Sequence, residues 1–229
     1  PEVMWQFSET VDGMSEACAA LGMPAIGGNV SFYNESRGAD IDPTPVVGVI
    51  GLIDDLVDAP PTARLSDGDV IVLLGETREE LGGSAWATLH GLRNGAPPLA
   101  DLEIAARLHP FVADVVLARI PSGIHDCSEG GLAIALAEMA IDGAVGFEVA
   151  IGDALACFSE SASRVVMSVA PGQVDSLLEH AQGAGIAASV IGHAGGAALV
   201  ADGAFSVDLE AATRAYRDSL PTIMGAVTV

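Results

Sequence analysis

The chain has 229 residues, of which half are hydrophobic and only 4% aromatic, so Val, Ile, Leu and Ala must fill a sizeable core. Acidic residues outnumber basic ones by 31 to 9, and the formal charge of −22 argues against a nucleic-acid-binding surface, which needs Lys and Arg to contact phosphates. All nine basic residues are Arg, and the lack of Lys excludes P-loop and Schiff-base chemistry.

Cysteine spacing and hydropathy indicate in which cellular compartment the protein is expected. Cys18, Cys127 and Cys157 lie far apart without a CxxC pair, so we expect neither a zinc site nor a disulfide framework, and a reducing cytosol fits. No apolar run reaches the ~18 residues that a membrane span needs, and the first residues lack a signal-peptide pattern. We therefore expect a cytoplasmic protein without membrane contact. Because the chain starts at Pro1 and not at Met, we expect a fragment of a longer protein.

The chain opens with a predicted amphipathic helix. Apolar side chains recur at helical spacing over residues 2–22, from Val3 to Leu21, and this spacing predicts one buried face. Gly22 suits the end of the helix, because glycine readily adopts the left-handed conformation that is common there.

Short strands and a linker are predicted next. One strand is expected around Asn29, and a β-rich run that ends in two acids covers residues 45–55. The Pro-rich, polar stretch at 56–68 is the best linker candidate. We therefore expect a small domain over residues 1–66 and a larger one over residues 67–229.

The larger part alternates strands and helices. Residues 70–75 form a continuous apolar run, which is typical of a strand covered on both faces. Pro110 is expected to kink or restart the helix that contains it. The other predicted strands lie at 164–169, 187–191 and 197–200, and the helices at 79–93, 100–119, 132–141, 174–183 and 207–220. This alternation indicates an α/β domain.

A first candidate site lies in the sequence PAIGGNVSFYNES. The paired glycines Gly27 and Gly28 let a backbone approach a ligand closely, because no Cβ stands in the way. Asn29 adds an amide oxygen and Ser31 a hydroxyl, and hard cations such as Mg²⁺ take oxygen ligands. A phosphate and Mg²⁺ site is one interpretation. A glycine-rich turn with an ordinary polar strand face is the alternative, since short motifs often mislead.

A second candidate site is the strand-to-helix junction HDCSEGG. Gly130 and Gly131 at a helix start offer N–H groups and the positive end of the helix dipole, which suits an anion. Asp126 can bind a metal or a ribose hydroxyl, and His125 can act as a general base. The alternative is plain helix capping by Ser128.

A third group, FSESASR, places Glu160 and Arg164 just before an apolar strand. There a carboxylate and a guanidinium can face a ligand, but a structural salt bridge or a solvated turn is equally consistent with the pattern. Cys127 shares a strand face with His125 and could be a thiol nucleophile. A small buried Cys usually serves packing, so we expect packing here.

Five segments occur in a fixed order: GGNVSFYNES, PTPVVGVIGLIDD, LLGETREELGGSAWA, IHDCSEGGLAIALAEMA and FSESASR. Together they resemble phosphoribosylformylglycinamidine synthase, the FGAM synthetase subunit of purine biosynthesis, and specifically its C-terminal half. The resemblance covers nearly the whole chain. It implies an ATP-binding fold similar to aminoimidazole ribonucleotide synthetase, with α+β or α/β architecture. A small barrel-forming domain, truncated at its start, would precede a larger α/β domain.

The resemblance also implies roles for the motif residues. In the first motif, Gly27 and Gly28 would contact ATP, Asn29 would bind Mg²⁺, and Ser31 would contact formylglycinamide ribonucleotide. The HDCSEGG and FSES segments would line a pseudo-symmetric second site, which in some members of the family holds a structural nucleotide. The residues assigned to that second site are Asp126, Gly130, Gly131 and Glu160.

The implied reaction is an ATP- and Mg²⁺-dependent amidation by a C–N ligase that uses glutamine-derived ammonia. Its catalytic histidine and most Mg²⁺ ligands would belong to the missing N-terminal half, so this chain alone is expected to be inactive. The implied partners are that half, a glutaminase subunit and a small accessory subunit. Strand edges of the small domain would be exposed without the missing half, and we expect self-association through them.

Two alternatives stay open at this stage. The chain could be a non-catalytic module that binds a structural nucleotide and docks partner subunits. It could also be another ATP-using member of the same fold, such as selenophosphate synthetase. That enzyme would need a nucleophilic Cys or Lys in a glycine-rich N-terminal segment, which this sequence lacks.

Overall fold

The computed structural model describes residues 2–31, 35–41, 44–53 and 60–225. The chain divides into two compact units, residues 1–59 and residues 60–229. The division expected from the sequence lies after residue 66. None of the helices within the described ranges is long and apolar enough to cross a bilayer.

The first unit begins with the predicted helix, α1 (Glu2–Ala20). It ends as expected at Gly22, which has a φ of +64°, and the Met23 N–H donates to the Cys18 carbonyl over 2.9 Å. The predicted buried face is wrong: every residue of α1 is at least partly exposed, and Val3 is more than half exposed. An amphipathic helix buries its apolar face only against another apolar surface, and the other described residues of this unit are almost all exposed.

The strands predicted for this unit are not formed in its described residues. Residues 23–31 and 44–53 are exposed and have no regular secondary structure. An unpredicted hairpin joins β1 (Glu35–Ser36) to β2 (Ala39–Asp40). The two acids that end the second predicted strand, Asp54 and Asp55, lie outside the described residues. A strand forms only beside another strand that pairs with its N–H and C=O groups, and no residue of 23–31 or 44–53 is part of a strand in the described part of the chain.

In the described part of the second unit, seven strands form one sheet in the order β4-β6-β3-β7-β5-β8-β9. They are β3 (Val70–Leu74), β4 (Pro121–Asp126), β5 (Phe147–Val149), β6 (Val165–Val169), β7 (Ala188–Ala194), β8 (Ala198–Ala201) and β9 (Phe205–Asp208). Neighbours are antiparallel except β5 and β8, which are parallel. The helices are α2 (Ala85–Leu89), α3 (Leu102–Leu117), α4 (Gly131–Gly143), α5 (Ala154–Phe158), α6 (Val174–Gly183) and α7 (Leu209–Ile223).

Strand β3 is covered on both faces, as predicted. Alternate residues of a strand point to opposite faces, and here Ile71 and Leu73 join the core formed with α4, while Val72 and Leu74 join the core formed with α3 and α6. All five residues of β3 are buried. The sheet is therefore the middle layer between two sets of helices.

Several predicted elements match closely and one does not. Helix α6 has the predicted bounds, and α3 runs through Pro110 without restarting. The helix predicted over residues 79–93 is shorter, because α2 starts only after Ser84, whose side chain accepts the Ala87 N–H. Gly82 lies too close to the Ala96 carbonyl for a Cβ, so the preceding residues form a packed loop.

A segment just before β3 covers the outer edge of the sheet. Thr62 bridges Gly123 of the edge strand β4 in parallel, and the Ile124 N–H donates to the Thr62 carbonyl over 3.1 Å. Leu65 is buried in the α4 core, and its N–H donates to the Met139 carbonyl over 2.9 Å. The edge of β4 is thus paired within the chain.

Candidate functional site

Four strands bring the motif segments together at one end of the large sheet. Val165 of β6 pairs with Leu74 of β3 and with Asp126 of β4, and Leu74 also pairs with Ala188 of β7. The loops that follow β3 and β4 therefore lie beside the loops that precede β6 and β7. The HDCSEGG and FSESASR segments meet there, together with the loop that follows β3.

The Glu160 carboxylate joins two helix starts. Its Oε1 atom accepts the Gly130 N–H and the Ala85 N–H, each over 2.8 Å. Gly130 is the N-cap of α4 and Ala85 is the first residue of α2. A carboxylate at a helix N-terminus is stabilised by the positive end of the dipole. Two residues assigned to the second site, Gly130 and Glu160, are thus in direct contact.

The two glycines are required by close packing. Gly130 and Gly131 have φ values of +80° and +69°, in the left-handed region. A Cβ on Gly131 would lie 2.3 Å from the Ser159 carbonyl oxygen. The predicted free N–H groups are not free, because Gly130 donates to Glu160 and Gly131 donates to the carbonyl of Ser128 over 3.0 Å. Ser128 caps through its main chain and not through its side chain.

Asp126 lies at the end of β4 with its side chain 72% exposed. Its Oδ1 atom is 3.3 Å from Nδ1 of His125, which lies 2.7 Å from the Asp126 carbonyl oxygen. The other ring nitrogen, Nε2, is 2.9 Å from Glu138 Oε2 on α4. Both ring nitrogens of His125 face acceptors within the chain, so the geometry does not favour the general base that the sequence suggested.

Arg164 is a buried structural side chain. It is 2% exposed and donates from Nε to the Ser161 carbonyl over 3.0 Å, from Nη1 to Thr77 Oγ1 over 2.9 Å, and from Nη2 to the Ser159 carbonyl over 2.5 Å. Burial lowers the pKa of Arg164 from its ordinary value. Arg164 therefore does not lie in a solvated turn, and its hydrogen bonds fix two loops to one another.

Two buried serines and Glu80 complete the network, and the sequence analysis had not singled them out. Ser159 Oγ donates to the Arg78 carbonyl over 2.5 Å, and Ser161 Oγ accepts the Arg78 N–H over 2.9 Å. Glu80 Oε1 accepts the Leu99 N–H over 2.9 Å, and this hydrogen bond lowers the pKa of Glu80. Glu80 Oε2 is buried and has no hydrogen-bond partner within the described residues. The ES and REE patterns are too common to signal this arrangement.

The thiol interpretation of Cys127 is wrong. Cys127 is buried in the α4 core, and burial raises the pKa of its thiol to about 12. The nucleophilic thiolate is therefore scarce at neutral pH, and Cys127 serves packing, as expected.

The first candidate site lies in the other unit. Gly27, Gly28, Asn29 and Ser31 are exposed and outside regular secondary structure. A Cβ on either glycine would meet nothing within 4 Å, so packing among the described residues does not require glycine there. Among the residues that the structure describes, no three His, Cys, Asp or Glu side chains are grouped to hold a metal. Asn29 offers a single amide oxygen, which falls short of a complete Mg²⁺ site.

An open cleft of about 470 Å³ adjoins the network. Thr77, which accepts from Arg164, and Leu132, in the first turn of α4, both line it. Its other lining residues are Leu73, Gly75, Glu76, Ala150, Ile151, Ala187, Ala188, Ser189 and Ile191. The cleft gives a small ligand access to this end of the sheet.

The fold and motif arrangement match a described protein family. The model for "AIR synthase related protein, C-terminal domain" matches residues 66–201, and the model for the N-terminal domain of the same family matches residues 1–53. The chain therefore belongs to the AIR synthase related proteins. The predicted fold class is confirmed.

The similar curated proteins belong to a narrower group than the family as a whole. The phosphoribosylformylglycinamidine synthase subunit PurL of Moorella thermoacetica is 45% identical over 233 residues, which cover 98% of this chain and 32% of the relative. The PurL subunit of Thermobifida fusca is also 45% identical, over 98% of this chain and 30% of its own length. The resemblance stated from the motifs is confirmed. The chain spans about a third of the length of these relatives.

Solved structures support the same fold. Thermotoga maritima PurL complexed with FGAR has a TM-score of 0.59 and 18% identity, over 67% of this chain and 29% of that chain. The same protein complexed with ATP has a TM-score of 0.55 and 16% identity, over 67% and 27%. A structure of PurLQS from Thermotoga maritima has a TM-score of 0.52 and 17% identity, over 66% of this chain and 27% of that chain.

Proposed function

We propose that this chain is part of a phosphoribosylformylglycinamidine synthase. The whole protein would use ATP to amidate formylglycinamide ribonucleotide to formylglycinamidine ribonucleotide in purine biosynthesis, as an ATP-dependent C–N ligase. The observation that carries this proposal is the 45% identity along 98% of the chain with two PurL subunits. It is a cytoplasmic function, in keeping with the sequence expectation.

The first candidate site would complete an active site whose other residues belong to the remainder of the protein. Gly27 and Gly28 would lie against ATP, Asn29 would supply one oxygen to Mg²⁺, and Ser31 would contact the ribonucleotide substrate. Bound Mg²⁺ would neutralise charge on the transferring phosphoryl group. The exposure of these residues, and the open space around both glycines, support a role towards a surface outside the described chain.

The second candidate site would hold a structural nucleotide. Asp126, Gly130, Gly131 and Glu160 lie at one end of the sheet, and Leu132, which follows Gly131, lines the cleft together with Thr77. The amide of Gly130 at the start of α4 is a suitable partner for a phosphate. A non-catalytic assembly module that binds nucleotide at this site is the second candidate function, and the open cleft at this end of the sheet supports it.

The remaining proposals concern partners. The N-terminal part of the same protein would pair with the small domain over residues 23–55. A glutaminase subunit would supply ammonia, and a small accessory subunit would join the assembly. The PurLQS structure of a similar protein supports the subunit assembly. The chain alone would be inactive.

A chimaera tests this function. The chain replaces the matching segment of the Moorella thermoacetica PurL subunit, and ATP hydrolysis that depends on both ammonia and formylglycinamide ribonucleotide is measured. We expect turnover by the chimaera and none by the chain alone. Asn29→Ala in the chimaera should lower turnover at least about tenfold, because it removes an oxygen ligand of the Mg²⁺ that neutralises charge on the phosphoryl group. A folded chimaera without ammonia-dependent turnover would contradict the proposal. Substrate-dependent ADP release by the chain alone would contradict its inactivity.

A further inference from the structure

We propose that Asn94 is a site of spontaneous deamidation in the folded chain, and that the product loosens the loop between α2 and α3. The reacting groups are the side-chain amide of Asn94 and the main-chain nitrogen of Gly95, and water is the only other reactant. This covalent modification does not depend on the proposed function.

The residue after Asn94 is a glycine, which exposes the nitrogen that would react. Gly95 has no Cβ beside its N–H, so the side-chain carbonyl carbon of the preceding Asn can approach that nitrogen. The two other asparagines of the chain precede Val30 and Glu35. A side chain on the following residue crowds the approach, most of all a stiff β-branched one. Asn94 is therefore the asparagine with the most accessible neighbouring nitrogen.

The fold leaves both reacting groups free to move. Asn94 and Gly95 are exposed and lie outside helices and strands. Within the residues that the structure describes, neither the Asn94 side chain nor the Gly95 N–H forms a hydrogen bond. In contrast, the N–H of Gly68, which follows Asp67, donates to the Ala194 carbonyl over 3.1 Å. Exposed loop segments open at little free-energy cost, so attack on Asn94 needs no unfolding of the domain.

The reaction is an intramolecular displacement. The Gly95 nitrogen loses its proton and attacks Cγ of Asn94, which closes a succinimide ring. The bond between Cγ and Nδ2 breaks, and Nδ2 takes up a proton and leaves as ammonia. Water then opens the ring at either carbonyl. One product is aspartate, and the other is isoaspartate, in which the main chain runs through Cβ and Cγ.

The loop that would change packs closely on the segment before α2. A Cβ on Gly82 would overlap the Ala96 carbonyl, and a Cβ on Gly95 would lie 3.1 Å from Gly82 Cα. Further along, the Leu99 N–H donates to Glu80 Oε1 over 2.9 Å. Isoaspartate adds one atom to the main chain directly before Gly95, which displaces this packed stretch. We therefore expect the hydrogen bond from Leu99 to weaken.

The experiment incubates the full chain at mildly alkaline pH and digests samples after arginine. Because the chain has no Lys, cleavage at Arg93 and Arg107 gives a peptide of residues 94–107. Asn94 is its single side-chain amide, even when cleavage at Arg93 is missed. Mass spectrometry detects the exchange of NH₂ for OH in that peptide. The peptide of residues 1–37 contains the other two asparagines and is the internal control.

Isoaspartate is detected by an isoaspartyl methyltransferase with labelled S-adenosylmethionine. Asn94→Gln keeps the amide but would need a ring that is one atom larger, so the peptide of residues 94–107 should not change over the same period. Freshly prepared Asn94→Asp is the matched control for charge, because it has the product carboxylate without the additional main-chain atom. Amide hydrogen exchange at Leu99 measures the loosening of the loop.

We expect the peptide of residues 94–107 to convert first, and to contain isoaspartate. Its rate in the folded chain should lie within about tenfold of the rate in guanidinium chloride, because the loop reacts without unfolding. A reaction that required global unfolding would be about 10³-fold or more slower in the folded chain. Exchange at Leu99 should be faster in the isoaspartate form than in the parent or in Asn94→Asp.

Each other outcome overturns the inference. A more than tenfold slower rate in the folded chain would show that the fold protects Asn94. Equally fast conversion of the peptide of residues 1–37 would remove the role of Gly95, and conversion of Asn94→Gln would exclude the ring closure. Unchanged exchange at Leu99 in the isoaspartate form, or equally fast exchange in Asn94→Asp, would remove the effect on the loop. The comparison of the two peptides within the parent tests the site even if a variant does not fold.

Discussion

The guanidinium of Arg164 is only 2% exposed, and burial of a charge is costly unless hydrogen bonds compensate for it. Arg164 finds that compensation in loop oxygens: the carbonyls of Ser159 and Ser161 and the hydroxyl of Thr77. It thereby holds both sides of Glu160. The position of a candidate ligand-binding carboxylate thus depends on a buried cation that donates to the loops on both sides of it.

Glu80 predicts a pH dependence of stability. The Leu99 N–H lowers the pKa of this carboxyl in the folded state below its ordinary value of 4.5. A lowered folded pKa gives stability that is fully present above the unfolded value and is lost as pH falls through the folded value. We therefore expect Glu80→Gln to lose less unfolding free energy than the parent between about pH 5 and about pH 3.

Urea unfolding at a series of pH values measures this effect. Glu79→Gln is the control, since Glu79 is the exposed neighbour of Glu80. Parallel pH profiles for the parent and Glu80→Gln would show that the Leu99 contact does not stabilise the fold. If the free energy of unfolding of Glu79→Gln also depends less on pH, the cause is instead the lower net negative charge of the chain.

At the scale of residues, the sequence grouped Gly130 with Glu160 but did not show how they make contact. Gly130 and Glu160 were assigned to one site through the family resemblance, and they do meet. Their hydrogen bond joins positions 30 residues apart, and strand register decides which atoms face each other across such a distance. The role of Arg164 stayed open between a ligand contact, a structural salt bridge and a solvated turn for the same reason, because nothing local shows that the chain will bury it.

At the scale of elements, the start of α4 packs directly on the segment that ends α5. Gly131 has no room for a Cβ beside the Ser159 carbonyl and has a positive φ. We expect Gly131→Ala to lower the free energy of unfolding by roughly 2 kcal/mol or more, from overpacking and backbone strain together. Chemical denaturation measures this loss.

Gly172 provides the comparison. It lies in the short 3₁₀ turn Pro171–Gln173, and a Cβ there would meet nothing within 4 Å. Gly172→Ala should change stability by no more than about 0.5 kcal/mol. Similar losses in both variants would rule out the close approach as the cause.

Long, regular patterns were predictable and short ones were not. The apolar run of β3 and the amphipathic spacing of α6 identify those elements directly. In contrast, β5 has three residues and α5 has five, too few to show a period, and both were missed. Residues 79–84 look helical, but contacts from Ser159 and Ser161 hold this region as a loop.

For the whole molecule, the first unit leaves a run of aliphatic side chains in solvent. Val46 is 95% exposed, Ile50 84% and Leu52 93%. Burying one such side chain is worth about 1.5–3 kcal/mol, so a second copy that covers the run would gain stability despite the net charge of −22. We expect the chain to self-associate through residues 44–53.

Light scattering over a range of concentrations measures the association. The molar mass should rise with concentration, and more steeply at high salt, which screens the repulsion between acidic copies. The double change Val46→Lys and Leu52→Lys should keep the chain monomeric. Leu89→Lys is the control, because Leu89 is similarly exposed in the other unit. A parent chain that is monomeric at all concentrations would contradict the expectation.

Sequence reasoning identified the family and the class of fold, because five motifs in order carry more information than any one of them. It failed on the strands of the first unit. β-Branched residues favour a strand, but a strand forms only beside a partner, and the sequence alone does not say where that partner is. Residues 44–53 have the composition of a strand, but they form no strand in the part of the chain that the structure describes.

The short stretch before β3 has a consequence for protein engineering. Thr62 pairs with the outer edge of β4, and Leu65 fills part of the core beneath α4. A truncated protein that starts at residue 66, where the match to the C-terminal family domain begins, would lose both contacts. It would display a bare strand edge and a hole in its interior, two features that promote precipitation. Isolation of the second unit should therefore start at Pro60.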